Sequence, residues 1–284
     1  MKLVTFAAAG RRSFGLWTEA GVVDLGARLA GRYRALHELV AAGDLAAARA
    51  FADAAPDHAP AAVRLDKPLA AWGKCFCVGV NYPERNAEYR DGSAGPAYPS
   101  LFVRFPESLT GPGRPLIRPP ESRQLDYEGE VVLVIGRAGR RIPEARWADH
   151  VLGYTLGNEG SVRDWIRHGK FNVTPGKNWA ASGSLGPWIA TADEVGPGPL
   201  RVITRVNGVE RQNDTTDRMT FPFGRLLAYI STFCTLEPGD LVFTGTPAGS
   251  GARLEPPVYL APGDEVEVEV PGIGILRNSV ADEA

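Results

Sequence analysis

Two glutamates flank a glycine in the run Leu125-Asp126-Tyr127-Glu128-Gly129-Glu130-Val131-Val132-Leu133-Val134-Ile135. Five consecutive apolar residues, mostly β-branched, end that run after a stretch of alternation, which is the pattern of a strand. Side chains two apart on a strand point to one face. Glu128 and Glu130 therefore project side by side at the entrance to a buried strand. Burying two like charges together is costly unless a proton or a cation compensates. The simplest compensation is a divalent metal held by oxygen ligands. Taken alone, such a pair more commonly marks an edge strand with two solvated glutamates.

Three further clusters carry reactive side chains. Asn158-Glu159-Gly160-Ser161-Val162-Arg163-Asp164 stands at a strand-to-helix turn, where Ser161 reads as the N-cap of a helix over Val162–His168. Capping and the helix dipole account for Asp164, and outward pairing accounts for Arg163; such turns also serve as ligand platforms. Lys177 lies in a glycine-rich, partly apolar loop, Thr174-Pro175-Gly176-Lys177-Asn178-Trp179, where it would sit over an anionic substrate, although a lone lysine is commonly a surface residue. Phe243-Thr244-Gly245-Thr246-Pro247-Ala248-Gly249-Ser250-Gly251 resembles a phosphate loop but lacks the Gly-Lys-Ser/Thr ending. A strand-end turn offering backbone N–H groups and the Thr246 hydroxyl to a carboxylate fits it better.

The elements that must position these residues are short. Strands are expected over Lys2–Ala8, Ser13–Thr18 and Val22–Asp24, then helical segments over Arg32–Val40 and Leu45–Ala54. Asp66-Lys67-Pro68-Leu69 reads as a connector, and a boundary near residue 70 separates a small N-terminal domain (1–70) from the remainder (71–284). Beyond it the pattern is mainly β: Cys75–Val80, Leu101–Arg104, the glutamate strand, Val151–Leu156, Trp188–Thr191, Leu200–Val206, Leu241–Thr244 and Glu265–Val270. Residues 81–98 form a polar stretch. Pro143–Asp149 suggests a short helix and Phe223–Thr232 a longer one, and Asn207-Gly208 is a hairpin signal. The fold class is α+β, with a β-rich core and few helices.

A formal charge of -2 on 284 residues gives no general attraction to nucleic acid or to an anionic membrane. No apolar run approaches a bilayer span, and the N-terminus reads as a strand rather than a signal peptide. Cys75, Cys77 and Cys234 show no framework spacing, which suggests reduced thiols and a cytoplasmic location.

Residues 75–284 resemble the fumarylacetoacetate hydrolase family, in particular its bacterial acylpyruvate hydrolases and 2-hydroxyhepta-2,4-diene-1,7-dioate isomerases. The matching elements are Val78-Gly79-Val80-Asn81-Tyr82, Leu101-Phe102-Val103-Arg104, Asp126-Tyr127-Glu128-Gly129-Glu130, Gly153-Tyr154-Thr155, Asn158 to Asp164, Lys177, Gly186-Pro187 and Gly245-Thr246-Pro247. Their order and spacing together are specific. The resemblance implies a mixed β-sandwich roll with a small N-terminal α/β domain, and a homodimer.

It also implies that Glu128, Glu130 and Glu159 bind Mg²⁺ or Mn²⁺, with Ca²⁺ a further option. Position 159 is usually Asp in the family; Glu keeps the charge and shifts the carboxylate by one methylene. All-oxygen ligation argues against zinc. Lys177 would stand near the metal, and Arg163, Thr246 and Arg104 would bind substrate. The segment after Tyr82 corresponds to a mobile lid, where family hydrolases carry a His and a Glu three residues apart to activate water. Here that spacing falls on Arg85 and Glu88. Arginine stays protonated and is no general base, so Arg85 is expected to clamp an anionic group and Glu88 to serve as the base.

The implied activity is metal-dependent hydrolysis of a C–C bond in an acylpyruvate, through a stabilised enolate. The same enolate logic serves an isomerase or tautomerase, a decarboxylase or a hydratase of a related 2-oxo or 2-hydroxymuconate-type diacid in aromatic catabolism. A non-catalytic 2-oxo-acid-binding protein is the alternative of another class.

Overall fold

The computed structural model describes residues 1–29, 31–88, 95–169, 172–196 and 198–284. Three antiparallel strands open the chain: β1 (Lys2–Ala8), β2 (Arg11–Thr18) and β3 (Gly21–Asp24). Short helices α1 (Leu25–Arg28), α2 (Leu36–Ala41) and α3 (Leu45–Arg49) follow. The last two are shorter than the helical spacing suggested. α3 buries only Ala48, and a helix with so little apolar surface to dock has nothing to extend it. The connector contributes β4 (Arg64–Asp66), which pairs with β1.

The larger part runs through β5 (Cys75–Gly79), α4 (Pro83–Ala87), β6 (Ser100–Val103), β7 (Leu109–Thr110), β8 (Leu116–Arg118) and β9 (Leu125–Asp126). It continues with β10 (Gly129–Ile135), β11 (Val151–Asn158), β12 (Ser161–Val162), α5 (Arg163–Ile166), α6 (Val173–Lys177) and β13 (Gly183–Thr191). Then come α7 (Ala192–Val195), β14 (Arg201–Val206), β15 (Val209–Thr215), α8 (Phe223–Phe233), β16 (Leu241–Phe243), β17 (Glu265–Val270) and β18 (Gly274–Asp282). Residues 89–94 of the expected lid lie outside the described residues. Among the described residues, no helix is long and apolar enough to cross a membrane.

One sheet has the order β3-β2-β1-β13-β11-β10-β16-β5-β6, with β4 and β7 attached beside β1 and β13. A second has the order β15-β14-β17-β18-β8. The strands on either side of residue 70 thus share one sheet, because Lys2 and Leu3 pair with Ala190 and Ile189. β10 lies inside the large sheet and is buried on both faces. Val131, Leu133 and Ile135 pack with Val202 and Val268 of the second sheet and with Leu226, Leu227 and Ile230 of α8. Val132 and Val134 face Leu3, Phe14 and Leu36. Glu130 has the parity of Val132 and Val134. α8 forms because Phe223, Leu226, Leu227 and Ile230 make one apolar stripe.

Several local expectations change. The segment Leu125–Ile135 is not one strand. β9 pairs with β12 in a separate two-stranded ladder, and Tyr127 and Glu128 belong to neither ladder before β10 begins. Glu128 and Glu130 are therefore not edge residues in water but buried groups, the first in the link between the two ladders and the second in β10. Ser161 does not cap a helix; it lies in β12, and its hydroxyl donates to Glu128 Oε2 at 3.1 Å. The Asn207-Gly208 hairpin forms as expected, with both residues at positive φ (+52° and +76°), joining β14 to β15.

Asp24 anchors the N-terminal unit. Its carboxylate is buried and accepts from Ser13, from Ala27 N at 2.9 Å and from Arg11 at 2.7 Å. Burial alone would raise its pKa, but the bonds from Ser13, Ala27 and His58 and the charge of Arg11 hold it below the usual 3.8. A depressed folded pKa gives stability that is present above 3.8 and is lost as pH falls through the folded value. Asp24→Asn should lower unfolding free energy by about 1–3 kcal/mol in urea melts at pH 7. The gap to the unmodified protein should shrink below about pH 4; a gap that widens in acid contradicts this account.

Candidate metal centre and active site

Two glycines let the backbone close around the site. A Cβ on Gly129 would lie 2.0 Å from Thr204 Oγ1, and one on Gly160 would lie 1.9 Å from Ser182 O. Any larger residue between the two glutamates, or after Glu159, would push these layers apart. Glu159 N donates to Glu128 O at 2.7 Å and Glu128 N donates to Asn158 Oδ1 at 2.9 Å, which locks the two acidic segments together.

The three carboxylates converge. Glu128, Glu130 and Glu159 are 4%, 1% and 1% exposed, and one oxygen of each lies within 4.8 Å of the others. Glu128 collects donors from four segments: Arg85 Nη2 at 3.0 Å, Arg163 Nη2 at 2.7 Å, Ser161 Oγ and Lys177 Nζ. Lys177 also reaches Glu159 Oε2 at 2.6 Å, and its ammonium lies 5.1 Å from the centre of the Phe102 ring. Glu130 accepts from Gly245 N at 2.7 Å, and no lysine or arginine among the described residues pairs with it.

The remaining predicted residues divide by position. A cavity of about 160 Å³ is walled by Arg85, Glu128, Glu130, Glu159, Arg163, Lys177 and Thr246, with apolar Val78, Phe102, Ile166 and Val173 completing it. Glu88 stands behind Arg85: its Oε2 accepts from Arg85 Nη1 at 2.6 Å and its Oε1 from Gly249 N at 2.7 Å. Arg104 is not on the wall. Its fully buried guanidinium bonds Glu159 Oε1 at 3.2 Å, Gly160 O at 2.9 Å, Ser182 Oγ at 2.9 Å, and Ser108 through both Oγ and O. This geometry holds Glu159 in place and leaves Arg104 no face for substrate. Thr246 Oγ1 donates to Gly129 O at 2.9 Å and accepts from Gln212 Nε2 at 2.8 Å, so it braces the glutamate turn as well as lining the cavity.

Several contributors escaped the sequence reading. Asp126 accepts from Arg163 Nε at 2.7 Å and from Gly251 N and Ala252 N, and so aims Arg163 at Glu128. Its place beside the glutamates was the available signal. Gln212 also receives Gly129 N at 3.0 Å. It sits in the polar strand β15, which has no alternation to reveal which residue is buried.

Charge decides the state of each group. Burial raises the Glu128 pKa, but Arg163, Lys177 and Arg85 outweigh it and hold the carboxyl well below its usual range. Glu130 goes the other way: burial first, then Glu159 and Glu128, push it well above that range. Burial also raises Glu159, against Lys177 and Arg104. Lys177 is raised despite burial because Glu128 and Glu159 flank it. Asp126, Glu128, Glu159 and Glu88 pair with Arg85, Arg104, Arg163 and Lys177, and Glu130 is the surplus carboxyl that a proton or a metal ion must balance.

The donor set fits a hard divalent ion. It is all oxygen, three carboxylates meet at one corner, and the one without a cation partner among the described residues is Glu130. Metal binding should stabilise the fold by mass action, about 2.7 kcal/mol when Mn²⁺ is at 100 times its Kd. Glu130→Gln should lose at least about 100-fold in Mn²⁺ affinity with its circular dichroism unchanged. Melting curves with Mn²⁺ and with EDTA that coincide for the unmodified protein would remove the metal centre from this account.

Comparison with known proteins agrees with this geometry. Residues 74–281 match the family model described as fumarylacetoacetate hydrolase C-terminal. A mitochondrial oxaloacetate tautomerase from Bos taurus is 35% identical over 290 residues, spanning 99% of this chain and 91% of the bovine protein. The solved structure of fumarylacetoacetate hydrolase from Exiguobacterium antarcticum superposes with a TM-score of 0.85 at 35% identity, with both chains covered in full. Maleylpyruvate hydrolase from Sphingobium sp. SYK-6, solved with manganese(II) and pyruvate, superposes with a TM-score of 0.82 at 27% identity, again over both full chains. With its motif glutamates gathered at one buried corner, the chain belongs to the fumarylacetoacetate hydrolase family.

Proposed function

We propose that this protein is a divalent-metal-dependent tautomerase of a small 2-oxo dicarboxylic acid of the oxaloacetate type. The observation that carries the proposal is Arg85, whose guanidinium lies on the cavity wall between Glu88 and Glu128. Water activation by a lid dyad needs a base at that position, and arginine stays charged. A fixed cation suits the second carboxylate of a diacid. The tautomerase name of the bovine relative supports the same choice. C–C hydrolysis, the first expectation from the sequence, becomes the second reading, favoured by likeness to maleylpyruvate hydrolase.

A divalent ion held by Glu128, Glu130 and Glu159 would supply the positive charge that polarises the 2-oxo group. Lys177 brings an ammonium to the same corner and offsets charge developing on the 2-oxo oxygen. Arg85 would bind the distal carboxylate through its planar fork, giving up its bond to Glu88. Glu88 Oε2 then becomes free to take a proton from C3, while Gly249 N–H keeps Oε1 in place. Val78, Phe102, Ile166 and Val173 supply the apolar part of the cavity wall. Arg163 and Arg104 stay with the carboxylates and hold the corner rigid.

Two features support the wider reading. The free thiols of Cys75, Cys77 and Cys234 suit a reducing compartment. Val103 and Phe105 beside β6, with Phe233 and Tyr98 nearby, expose an apolar face that a second copy would cover.

Hydrogen–deuterium exchange at C3 of oxaloacetate, followed by NMR with Mg²⁺ or Mn²⁺ present, tests the proposal. Glu88→Gln should slow exchange by about 10²–10⁴-fold. Arg85→Met should lower kcat/KM for the diacid by about 10–100-fold more than it changes C3 exchange of pyruvate, a monocarboxylate. Pyruvate released from an acylpyruvate faster than oxaloacetate exchanges would transfer the assignment to hydrolysis. Tight 2-oxo acid binding with neither reaction would mark a binding protein.

A further inference from the structure

A second charged cavity, of about 320 Å³, lies where the N-terminal strands meet the loop that follows β7, and nothing above employs it. Arg12, Arg64, Asp66, Lys67, Ala70 and Arg114 line it. Four cations therefore surround one carboxylate. Arg12 reaches Asp66 at 2.6 Å and Arg114 reaches it at 3.5 Å. Glu107 also acts on Lys67, and the balance stays positive. Arg114 Nε is buried with no acceptor among the described residues. The side chains of Arg12 and Arg114 are otherwise 62% and 40% exposed, so their forks reach solvent. Arg12 and Ala70 also line an adjoining cavity of about 220 Å³ with Arg34 and His37, and the buried His37 Nδ1 has no partner among the described residues. Surplus positive charge with spare guanidinium donors is the chemistry that grips phosphate and carboxylate groups bidentately.

The cavity is wired to the metal corner. Lys67 Nζ donates to Pro106 O at 2.7 Å. Pro106 opens a single helical turn that ends at Ser108. Ser108 receives Arg104 twice, Nε to Oγ at 3.0 Å and Nη2 to O at 3.1 Å. Arg104 Nη1 then bonds Glu159 Oε1 at 3.2 Å. An anion that draws the Lys67 ammonium away from Pro106 releases the turn that holds Arg104, and with it Glu159.

We propose that this cavity is a regulatory site for a small multivalent oxyanion, a phosphate ester or a polycarboxylate, whose binding weakens metal affinity through Lys67, the Pro106–Ser108 turn and Arg104. The binding half stands without the functional reading above; the coupling half rests on its metal centre.

Calorimetric titration of the full chain, freed of metal on a chelating resin and held at constant ionic strength, tests the site with inorganic phosphate and, separately, with tricarballylate. One saturable site per chain is expected for at least one probe, and which probe binds separates phosphate from carboxylate ligands. The double variant Arg64→Ala/Arg114→Ala, in two partly exposed residues, should weaken it at least about tenfold, and Arg85→Met should leave it unchanged. No saturable binding of either probe, or binding that survives the double variant and disappears in Arg85→Met, overturns the site. The coupling is read from free Mn²⁺ by electron paramagnetic resonance, corrected against a protein-free blank. Saturating anion should weaken Mn²⁺ binding about fivefold, Mn²⁺ should weaken anion binding by the same factor, and Lys67→Met should abolish both effects. Mn²⁺ affinity indifferent to the anion overturns the coupling; absence of any Mn²⁺ binding overturns the metal reading instead.

Discussion

The structure is organised around the cost of burying Glu128. A carboxylate at 4% exposure needs compensation from close by. It obtains this from Arg85 on α4, Arg163 on α5, Lys177 at the end of α6 and the Ser161 hydroxyl on β12. Each donor comes from a different short element, and none of these elements buries enough apolar surface to be stable alone. Their positions are set by the ion pairs they make and by the sheets behind them. Removing one partner would leave the others with an uncompensated buried charge, so the corner is ordered as a unit.

The rigid part is the two-faced strand β10. Its odd residues pack on the second sheet and α8, and its even residues on the N-terminal core. Glu130 continues the even face, which makes it a carboxylate on one of the most constrained backbones in the molecule. The loop after β16 completes the frame. Gly245, Gly249, Gly251 and Ala252 point backbone N–H groups at Glu130, Glu88 and Asp126. A turn that resembles a phosphate loop in sequence thus spends its donors on the protein's own carboxylates, the chemistry expected when the Gly-Lys-Ser/Thr ending is missing.

Arg85 gives this member of the family its particular character. It is 3% exposed, yet it belongs to the short helix α4 in the segment where a lid was expected, and it pairs with both Glu88 and Glu128. A permanent cation there separates the electrostatic part of the family chemistry from the activation of water. On the proposed reading the acidic corner and Lys177 would polarise a 2-oxo group and Glu88 would move the proton at C3; hydrolysis would need a further base to activate water. The pairing also makes Glu88 conditional, because its Oε2 is occupied for as long as Arg85 has no better anion.

Much of this was legible in the chain itself. The β-branched run after Glu130, the Asn207-Gly208 turn and the stripe Phe223, Leu226, Leu227 and Ile230 are local patterns, and their elements formed as read because period and turn chemistry are local properties. The motif glutamates, Lys177 and Arg85 were recognisable by type and spacing. β18 carries a period-two burial pattern, with Leu276, Asn278 and Val280 inward, that the sequence reading passed over. Other features had no local trace. The break in the ladder at Tyr127 and Glu128 exists because β9 pairs with β12, thirty-odd residues away. Arg104 was expected to meet substrate and instead holds Glu159, since its direction depends on Ser108 and Ser182. Gln212 is buried in a strand of polar residues by neighbours distant in the chain. Sequence fixes which side chains can carry charge and which segments can be strands; only the packed sheets decide which charges meet, because the energy of a buried ion depends on partners that chain order does not bring together.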